Sequence, residues 1–324
     1  MGRSMPPRHP QLVHAFALSK AGRNGEAVLI LNQLAAAHDP GALATLAEMK
    51  WRGGMVPQDL PAARDLFRRA GEAGDNKAGA TFTNLLASGI AGPRDWPLAM
   101  KRLKGEARGD PARRTVLALI KQMALGPNGD PAELAQGKTL SESPHVRLYS
   151  RLFTSAECAY LKQCAEPLYG PSMVSDSSGG LVQDRLRTSD GATLHWMIED
   201  PVIHALNRRL AAVSGTSADQ GEAVQILRYR GGQEYLPHTD FVRASENQRH
   251  LTALVYLNDD YEGGETCFVK TSLAVKGRKG DAIVFRNATA DRLPDPMSEH
   301  AGMAVTSGTK YLASRWIRET RWMP

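Results

Sequence analysis

The stretch Val224-Gln-Ile-Leu-Arg-Tyr229 is the first of several short strand-like segments in the last third of the chain. Gly-rich or charged turns separate these segments, as is typical of strands joined by turns. Many short strands in succession indicate an antiparallel barrel or jelly roll. The predicted strands are Val224–Tyr229, Thr252–Leu257, Glu265–Val269, Ala282–Phe285, Gly302–Val305 and Tyr311–Ile317.

The region before these strands has a mixed character. Val146–Phe153 alternates like a strand, and Ser155–Leu168 has a helical pattern with Thr154 or Ser155 as its N-cap. A second helix is predicted over Thr193–Val213. Between the two helices, Tyr169–Leu186 is rich in Gly and Ser without periodicity, which indicates a mobile loop.

Roughly the first 135 residues have helical patterns rich in Ala, Leu and Arg. A repeat of about 36 residues is visible, because Ala27, Ala63 and Ala99 share one spacing and Asp59-Leu-Pro-Ala-Ala63 recurs as Asp95-Trp-Pro-Leu-Ala99. The pattern resembles the Sel-type branch of the tetratricopeptide repeats, with about three degenerate units. The alternative is an ordinary helical bundle in which the Ala spacing is a coincidence.

These textures predict an α+β protein with two domains. We expect a flexible tail over residues 1–10 and a solenoid-like helical repeat domain over residues 11–125. A turn-rich linker over residues 126–143 then leads to a β domain over residues 144–324, which is predicted to be a jelly roll.

Composition limits the classes of partner and the compartment. The chain has 324 residues and a net charge of +6, but no long Lys/Arg run with interleaved aromatic residues, so nucleic-acid binding is not favoured. Three cysteines, an odd and sparse set, favour a reducing compartment. With no signal-peptide pattern and no long apolar run, we expect a cytoplasmic protein without a membrane partner.

Chemistry is indicated by His238-Thr-Asp240, since residues i and i+2 of a strand point to one face. Alone this motif is weak and often marks a surface pair. A third candidate ligand, His300, lies just before a predicted strand, and two His with one carboxylate form the facial triad of non-heme Fe(II) oxygenases. Lys310 could bind the far carboxylate of a 2-oxo diacid, or could be an ordinary surface lysine.

Over about residues 145–320 the sequence resembles the prolyl 4-hydroxylase family of 2-oxoglutarate oxygenases. Two departures are Val269, where the family often has Pro, and Glu299, where an apolar residue is usual. The resemblance is carried, in order, by Arg187-Thr-Ser189, Gln225-Ile-Leu-Arg-Tyr229, Gly232-Gln-Glu-Tyr235, His238-Thr-Asp240, Leu254-Val-Tyr-Leu-Asn258, Gly263-Gly-Glu-Thr-Cys-Phe268, Lys279-Gly-Asp-Ala-Ile-Val-Phe285, His300-Ala-Gly302 and Lys310-Tyr-Leu-Ala-Ser-Arg-Trp316.

The resemblance implies a double-stranded β-helix that uses Fe(II), 2-oxoglutarate and O2, with ascorbate as a further cofactor. It implies that Lys310, helped by the hydroxyls of Tyr229 and Thr266, holds the C5 carboxylate of 2-oxoglutarate. The implied catalytic metal ligands are His238, Asp240 and His300. Residues 170–187 match a loop that closes over the substrate, and the positions implied to face a peptide substrate are Arg187, Tyr235, Arg249 and Trp316.

The function implied is hydroxylation of a peptide or protein residue, with proline as the expected target and the helical repeats recruiting the substrate. One alternative keeps this chemistry but directs it to a small molecule, a peptide natural product or another side chain. A second alternative is a non-catalytic scaffold whose repeats bind partners. Against the scaffold, every candidate ligand and Lys310 are present in the sequence.

Overall fold

A computed structural model describes residues 9–175, 181–183, 186–242 and 245–322. Most of the predicted tail therefore lies outside the described residues. At its end, the first helix already begins at Pro10, and the His9 side chain accepts a hydrogen bond from the Gln11 N–H. Ordered structure thus starts at the last residues of the predicted tail.

Seven helices occupy residues 10–120. Five of them begin after an Asp, at positions 39, 59, 75, 95 and 110, whose carboxylate accepts the backbone N–H three residues later. This N-cap satisfies an amide that the helix itself leaves unpaired, so the recurring Asp fixes where each helix begins. The helices are α1 Pro10–Lys20, α2 Asn24–Ala36, α3 Pro40–Arg52, α4 Leu60–Glu72, α5 Asn76–Ser88, α6 Trp96–Glu106 and α7 Pro111–Ile120.

The 36-residue spacing marks the buried positions of these helices. Ala27, Ala63 and Ala99 are at most 1% exposed, and consecutive helices pack on one another. Small residues permit close approach: a Cβ built on Gly71 of α4 would lie 2.6 Å from the Cα of Gly79 in α5. The predicted helical repeat region is therefore present, and it forms a compact unit, the helical unit.

The helical unit ends at Ile120 and also includes Met197–Pro201, whereas the β unit comprises Lys121–Trp196 and the chain from Val202 onward. The boundary thus falls before the predicted linker. Part of that linker is a strand, because residues 138–142 pair with the strand that follows.

The remaining elements belong to the β unit. Thr154 caps its first helix in a capping box with Glu157, as the sequence predicts. The elements are β1 Lys138–Glu142, β2 His145–Tyr149, α8 Ser155–Ala165, β3 Gly170–Pro171, β4 Met173–Ser175, β5 Leu181–Gln183, β6 Asp190–Thr193, α9 Pro201–Ser214, β7 Gln225–Arg230, β8 Tyr235–His238, β9 Arg249–Tyr256, β10 Tyr261–Gly263, β11 Thr266–Phe268, β12 Leu273–Val275, β13 Ala282–Arg286, β14 His300–Gly302 and β15 Val305–Arg318.

Two antiparallel sheets form the body of this unit. The larger has the order β1-β2-β13-β9-β15-β7-β6-β3, with β10 also paired to β15, and the smaller has the order β12-β11-β14-β8. Buried residues of both sheets share one core, for example Tyr256, Phe268 and Phe285, which are fully buried. Two sheets around one core confirm the predicted jelly roll.

Several predicted boundaries are wrong. The second helix begins at Pro201 rather than Thr193, because residues 190–193 form β6 and pair with β7. The predicted strand Gly302–Val305 is instead the junction between β14 and β15. Strands β8, β10 and β12 were not predicted, since each has only three or four residues.

The predicted mobile loop contains paired strands. Gly170 and Pro171 pair with β6, and β4 pairs with β5 in antiparallel orientation. Residues 176–180 and 184–185 of that loop lie outside the described residues. Among the helices that the structure describes, none combines the length and apolar character needed to cross a bilayer.

Candidate metal centre

Three candidate ligands meet at the smaller sheet. His238 is the last residue of β8, His300 is the first residue of β14, and the two are register partners in the pair β8–β14. Asp240 follows just beyond the end of β8. The prediction that a strand would carry both His238 and Asp240 was therefore wrong in detail, as was the placement of His300 before a strand.

The ligand atoms of the three side chains lie within 4.8 Å of one another. The two Asp240 oxygens divide between the imidazoles: Oδ1 lies 3.8 Å from His238 Nε2, and Oδ2 lies 3.8 Å from His300 Nε2. A single ion placed among these atoms could be bound by two nitrogens and one oxygen. Two imidazoles and one carboxylate suit a divalent transition metal.

Backbone carbonyls fix the orientation of both imidazoles. His238 Nδ1 lies 2.9 Å from the Leu236 carbonyl oxygen, and His300 Nδ1 lies 2.9 Å from that of Ser298. Because a carbonyl oxygen only accepts, Nδ1 carries the proton and donates it in each neutral ring. The lone pair of each ring then lies on Nε2, which faces the cluster, as in other metal-binding histidines.

Burial and nearby charges set the ionisation states of His238 and Asp240. Desolvation, followed by the neighbouring His300, lowers the pKa of His238 to about 4, so the ring is neutral at neutral pH. Burial alone would raise the pKa of Asp240, but His300, His238 and Arg249 outweigh it, and the net shift is downward. His238 is thus a neutral imidazole and Asp240 a carboxylate, the forms in which these side chains bind metal.

A hydrogen-bonded chain holds the Asp240 carboxylate. The Thr252 hydroxyl donates to Asp240 Oδ2 at 2.6 Å, and Asn287 Nδ2 donates to Thr252 Oγ1 at 2.8 Å. All three side chains are buried. Sequence reasoning identified neither Thr252 nor Asn287. Thr252 lies two residues before the pocket residue Leu254 on β9, and therefore on the same face of that strand.

The buried Lys310 amine lies in the same pocket. It is 2% exposed, and Nζ donates to the Gly264 carbonyl oxygen at 2.7 Å, its one hydrogen bond among the described residues. Desolvation lowers the pKa of Lys310 to about 8. An ammonium has three donors, so this group keeps the capacity to bind an anion inside the pocket.

Tyr229 and Thr266, the predicted helpers of Lys310, also line the pocket. Lys310 Nζ lies 5.4 Å from the centroid of the Tyr229 ring. The Thr266 hydroxyl lies 3.1 Å from the hydroxyl of buried Tyr256. A buried cation with hydroxyls beside it fits the far carboxylate of 2-oxoglutarate, and the triad fits Fe(II), so the residues present suit both groups.

Comparison with known proteins agrees with this geometry. Residues 224–318 match the model of the 2OG-Fe(II) oxygenase superfamily. Prolyl 4-hydroxylase 1 of Arabidopsis thaliana is 37% identical over 202 residues, which cover 56% of this chain and 71% of that protein. The chain belongs to the prolyl 4-hydroxylase family of 2OG-Fe(II) oxygenases.

Two solved structures are similar in part. One is the viral collagen prolyl hydroxylase of Paramecium Bursaria Chlorella virus-1 in its 2OG complex, with 25% identity, a TM-score of 0.42, and coverage of 56% of this chain and 99% of that one. The other is a Sel1 repeat protein from Oxalobacter formigenes, with 24% identity, a TM-score of 0.31, and coverage of 36% and 49%.

Membership of this family makes the protein an enzyme, a dioxygenase that uses Fe(II), 2-oxoglutarate and O2. The prediction of Fe(II), 2-oxoglutarate and O2 is thereby confirmed. The inactive-scaffold alternative has no support, since the structure brings the triad and Lys310 into one pocket.

The predicted substrate residues divide into two groups. Arg187, Tyr235 and Trp316 line the pocket. The Tyr235 ring stacks on His238 with centroids 3.5 Å apart, and the Arg187 guanidinium lies 5.2 Å from the Tyr235 centroid. These three side chains therefore surround the approach to the metal ligands.

Arg249 lies outside the pocket lining. Its Nε and Nη2 donate to the two carboxylate oxygens of Glu222 at 2.7 and 2.9 Å, and its guanidinium lies 3.8 Å from the Trp316 ring centroid. In this structure Arg249 contacts Trp316 and pairs with Glu222.

Strand alternation could have revealed further lining residues. Lys310, Leu312, Ser314 and Trp316 alternate along β15, and all four line the pocket, as expected for one face of a strand. The sequence prediction named only Lys310 and Trp316. Asn287 gave no comparable signal, because it lies in none of the motifs that carry the family resemblance.

Proposed function

We propose that this enzyme hydroxylates a prolyl residue of a peptide or protein, with His238, Asp240 and His300 binding Fe(II). The observation that carries the proposal is the buried Lys310 cation in the pocket of the triad. A buried amine with a single described hydrogen bond costs stability unless a ligand binds it, and 2-oxoglutarate supplies a matching carboxylate.

Each residue has a defined task in this proposal. Lys310, with the hydroxyls of Thr266 and Tyr229, binds the C5 carboxylate and so orients the 2-oxo acid along the pocket. The Leu236 and Ser298 carbonyls keep each Nδ1 protonated, which leaves Nε2 for the metal. Bound Fe(II) supplies the activation of O2 that is coupled to oxidative decarboxylation of 2-oxoglutarate.

Proline is the proposed target because the relative from Arabidopsis thaliana is named Prolyl 4-hydroxylase 1. The match covers 71% of that protein's length. The pocket suits an apolar ring: Tyr235 and Trp316 offer aromatic faces, and Leu227 and Leu254 are apolar. A small molecule, a peptide natural product or another side chain would use the same metal centre, and no contact in the pocket favours these alternatives.

The helical unit has a separate task in this proposal, which is to recruit the protein that carries the target proline. Stacked helices present extended surfaces suited to peptides. Ascorbate, predicted as a further cofactor, stays a prediction, and omitting it from the assay tests it. The cytoplasmic location also stays a prediction.

The test is mass spectrometry of the host proteome with and without an active enzyme. Peptides with a proline that gains the mass of one oxygen atom only with active enzyme would support the proposal. Synthetic versions of these peptides should then consume 2-oxoglutarate with matching formation of succinate. Oxygen gain on a metabolite, or on a residue other than proline, would contradict the choice of target but not the chemistry.

A further inference from the structure

The helical unit contains an open groove between α2, α3 and α4, the α2–α4 groove. Its volume is about 250 Å³. The apolar part of its lining includes Ala35, Leu46 and Leu66, and the polar part is Asn32, Lys50 and Arg69. Two cations and no carboxylate line this groove, so an anionic ligand would meet complementary charge.

The repeat provides an internal comparison. The positions 36 residues after Leu46 and Leu66 are Phe82 and Arg102. The Arg102 guanidinium lies 5.0 Å from the Phe82 ring centroid, and its Nε donates to Thr83 at 3.0 Å. The space that corresponds to the groove in the next repeat is thus occupied by an arginine of the protein itself.

The cations of the groove do not recur in that second space. The positions 36 residues after Lys50 and Arg69 are Leu86 and Gly105. Packing within a helical repeat therefore requires neither cation. Lys50 and Arg69 line the α2–α4 groove but have no counterpart in the equivalent space of the next repeat. This difference indicates that they bind a ligand rather than stabilise the repeat.

Neither groove cation is neutralised by a carboxylate among the described residues. The nearest polar contact of Arg69 is a hydrogen bond of 3.5 Å to the Ala35 carbonyl oxygen. Residues 9–120 have fifteen Lys and Arg against ten Asp and Glu, whereas residues 121–324 have 23 against 24. The basic excess therefore lies in residues 9–120.

The ten acids in residues 9–120 are all engaged elsewhere. Five Asp residues are bound to backbone amides at helix N-termini, and Glu106 is bound to Arg113. The other four form ion pairs with Arg23, Arg52 and Arg68.

We infer that the α2–α4 groove binds an acidic segment of the protein substrate, in which an apolar side chain enters between Leu46 and Leu66 and flanking carboxylates pair with Lys50 and Arg69. The inference deepens the recruitment role proposed above and rests on it for identifying the partner as a substrate. Nucleic acid is a poorer fit, because no aromatic side chain lines the groove for bases to stack on.

The experiment measures binding of a fluorescent peptide of about twelve residues, in which Glu alternates with Leu, to the full-length chain. A matched Gln/Leu peptide is the neutral probe. The Glu peptide should bind more tightly, with an affinity that falls as salt rises. Equal affinity for the two peptides would overturn the inference.

The first variant pair separates the groove from general charge. Lys50→Ala/Arg69→Ala should weaken binding by about 5- to 30-fold, as expected for two partly exposed ion pairs. The control Lys77→Ala/Lys104→Ala removes two exposed lysines outside the lining and should leave binding nearly unchanged. Equal losses in both variants would contradict the assignment.

A second variant tests occupancy rather than charge. Leu46→Phe/Leu66→Arg transfers the pair Phe82 and Arg102 to the equivalent positions and should fill the groove. It adds a positive charge, so general electrostatics predicts tighter binding, whereas occlusion predicts a loss of at least the same size. Tighter binding would overturn the inference, as would a uridine oligomer that competes with the same sensitivity to both variants.

Binding is measured without turnover, so the outcome is separable from that of the proposed function. A protein that binds the Glu peptide through the groove but hydroxylates no proline would refute the proposed target and leave the groove. If the protein hydroxylates proline but every variant binds the peptide equally well, the proposed target is supported and the groove assignment is refuted.

Discussion

The two compact units differ in how they accommodate buried charge. In the helical unit, the Arg64 guanidinium donates to the Ile90 and Pro93 carbonyl oxygens at 2.9 and 2.7 Å. Arg113 is held by Glu106 at 2.7 Å and Asn84 at 2.9 Å, while its Nη2 has no hydrogen-bond partner among the described residues. Both cations connect segments distant in sequence and serve the fold.

In the pocket of the β unit, buried polar groups keep capacity for further partners. Lys310 has one described hydrogen bond, and the Nε2 atoms of His238 and His300 face a shared carboxylate. A buried group that makes most of its hydrogen bonds within the protein serves the fold, whereas one in a pocket with most of its capacity unused marks a ligand site.

Removing one metal ligand should abolish activity and leave the fold intact. His300→Ala should reduce succinate formation to background, because two protein ligands do not complete the facial site. The measurement is succinate formation, with Fe(II) binding followed anaerobically and thermal unfolding as the control. His204→Ala, a buried histidine outside the pocket, is the matched control for the loss of an imidazole. Activity near that of the unchanged enzyme would refute the assignment of His300.

Replacing the buried cation should harm function more than stability. Lys310→Met should raise the 2-oxoglutarate concentration needed for half-maximal rate by about 10- to 100-fold, since a hydrogen bond to a charged group contributes about 1.5–3 kcal/mol. Without 2-oxoglutarate, the melting temperature at neutral pH should be equal or higher, because the desolvated amine is gone. A normal requirement for 2-oxoglutarate would remove Lys310 from the cosubstrate site.

Loosening the carboxylate should weaken metal binding. Thr252→Val removes the hydroxyl that donates to Asp240 and accepts from Asn287, and partners of metal ligands typically contribute 10- to 100-fold in affinity. The measurement is anaerobic titration with Fe(II), and Thr252→Ser, which keeps the hydroxyl, should retain most of the affinity. Equal affinities of the valine and serine variants would show that the hydrogen bond does not matter.

The Lys310 amine should also confer a pH dependence on cosubstrate binding. Its pKa is lowered by desolvation to about 8, so in the free enzyme the cationic form is lost as pH rises through 8. The affinity for 2-oxoglutarate should therefore fall about tenfold between pH 7 and pH 9. Lys310→Arg keeps its charge over this range, and its affinity should change little. A flat profile for the unchanged enzyme would contradict the lowered pKa.

The same amine gives stability the opposite dependence on pH. The unfolded chain binds more protons than the folded one between pH 8 and the ordinary lysine pKa of 10.5, so this group makes folding more favourable as pH rises through that window. The cost of burying the charged amine is fully present below pH 8. As pH rises and Lys310 loses its proton, the affinity for 2-oxoglutarate therefore falls while the free energy of unfolding increases.

Sequence patterns predicted the parts of the fold that depend on periodic burial. The 36-residue spacing of Ala27, Ala63 and Ala99 predicted the buried faces of the helices. Strand-like runs predicted the central strands of the larger sheet, which are β2, β13, β9, β15 and β7. Short strands of the smaller sheet, such as β8 and β12, were missed because three or four residues show too little periodicity.

The site was predictable where its residues form recognisable motifs. His238, Asp240, His300 and Lys310 lie in such motifs, and the structure places them together. The partners of Asp240 were not predictable in this way. Thr252 and Asn287 are 35 residues apart and meet only because β9 pairs with β13 in the sheet. Likewise, the ion pair between Arg249 and Glu222 depends on tertiary contact.

The smallest expected effect on turnover sharpens the contrast between the two units. Arg113→Met removes a buried cation of the helical unit, as Lys310→Met removes one of the β unit, and both side chains are nearly fully buried. Breaking a buried ion pair leaves Glu106 and Asn84 without their partner, so we expect a loss of about 3 kcal/mol in the stability of the helical unit. Turnover of a short prolyl peptide at 25 °C should change less than twofold, because no ligand contact is lost. Thermal unfolding and succinate formation, measured on both variants, give the test.

Suppose that Arg113→Met reduces peptide turnover as strongly as Lys310→Met does. Hydrogen-bond partners within the protein then do not distinguish structural cations from ligand-binding ones in this protein. If Arg113→Met leaves both stability and turnover unchanged, the Glu106–Arg113 pair contributes nothing, as would follow if well-packed Met stabilises the site as much as the ion pair does.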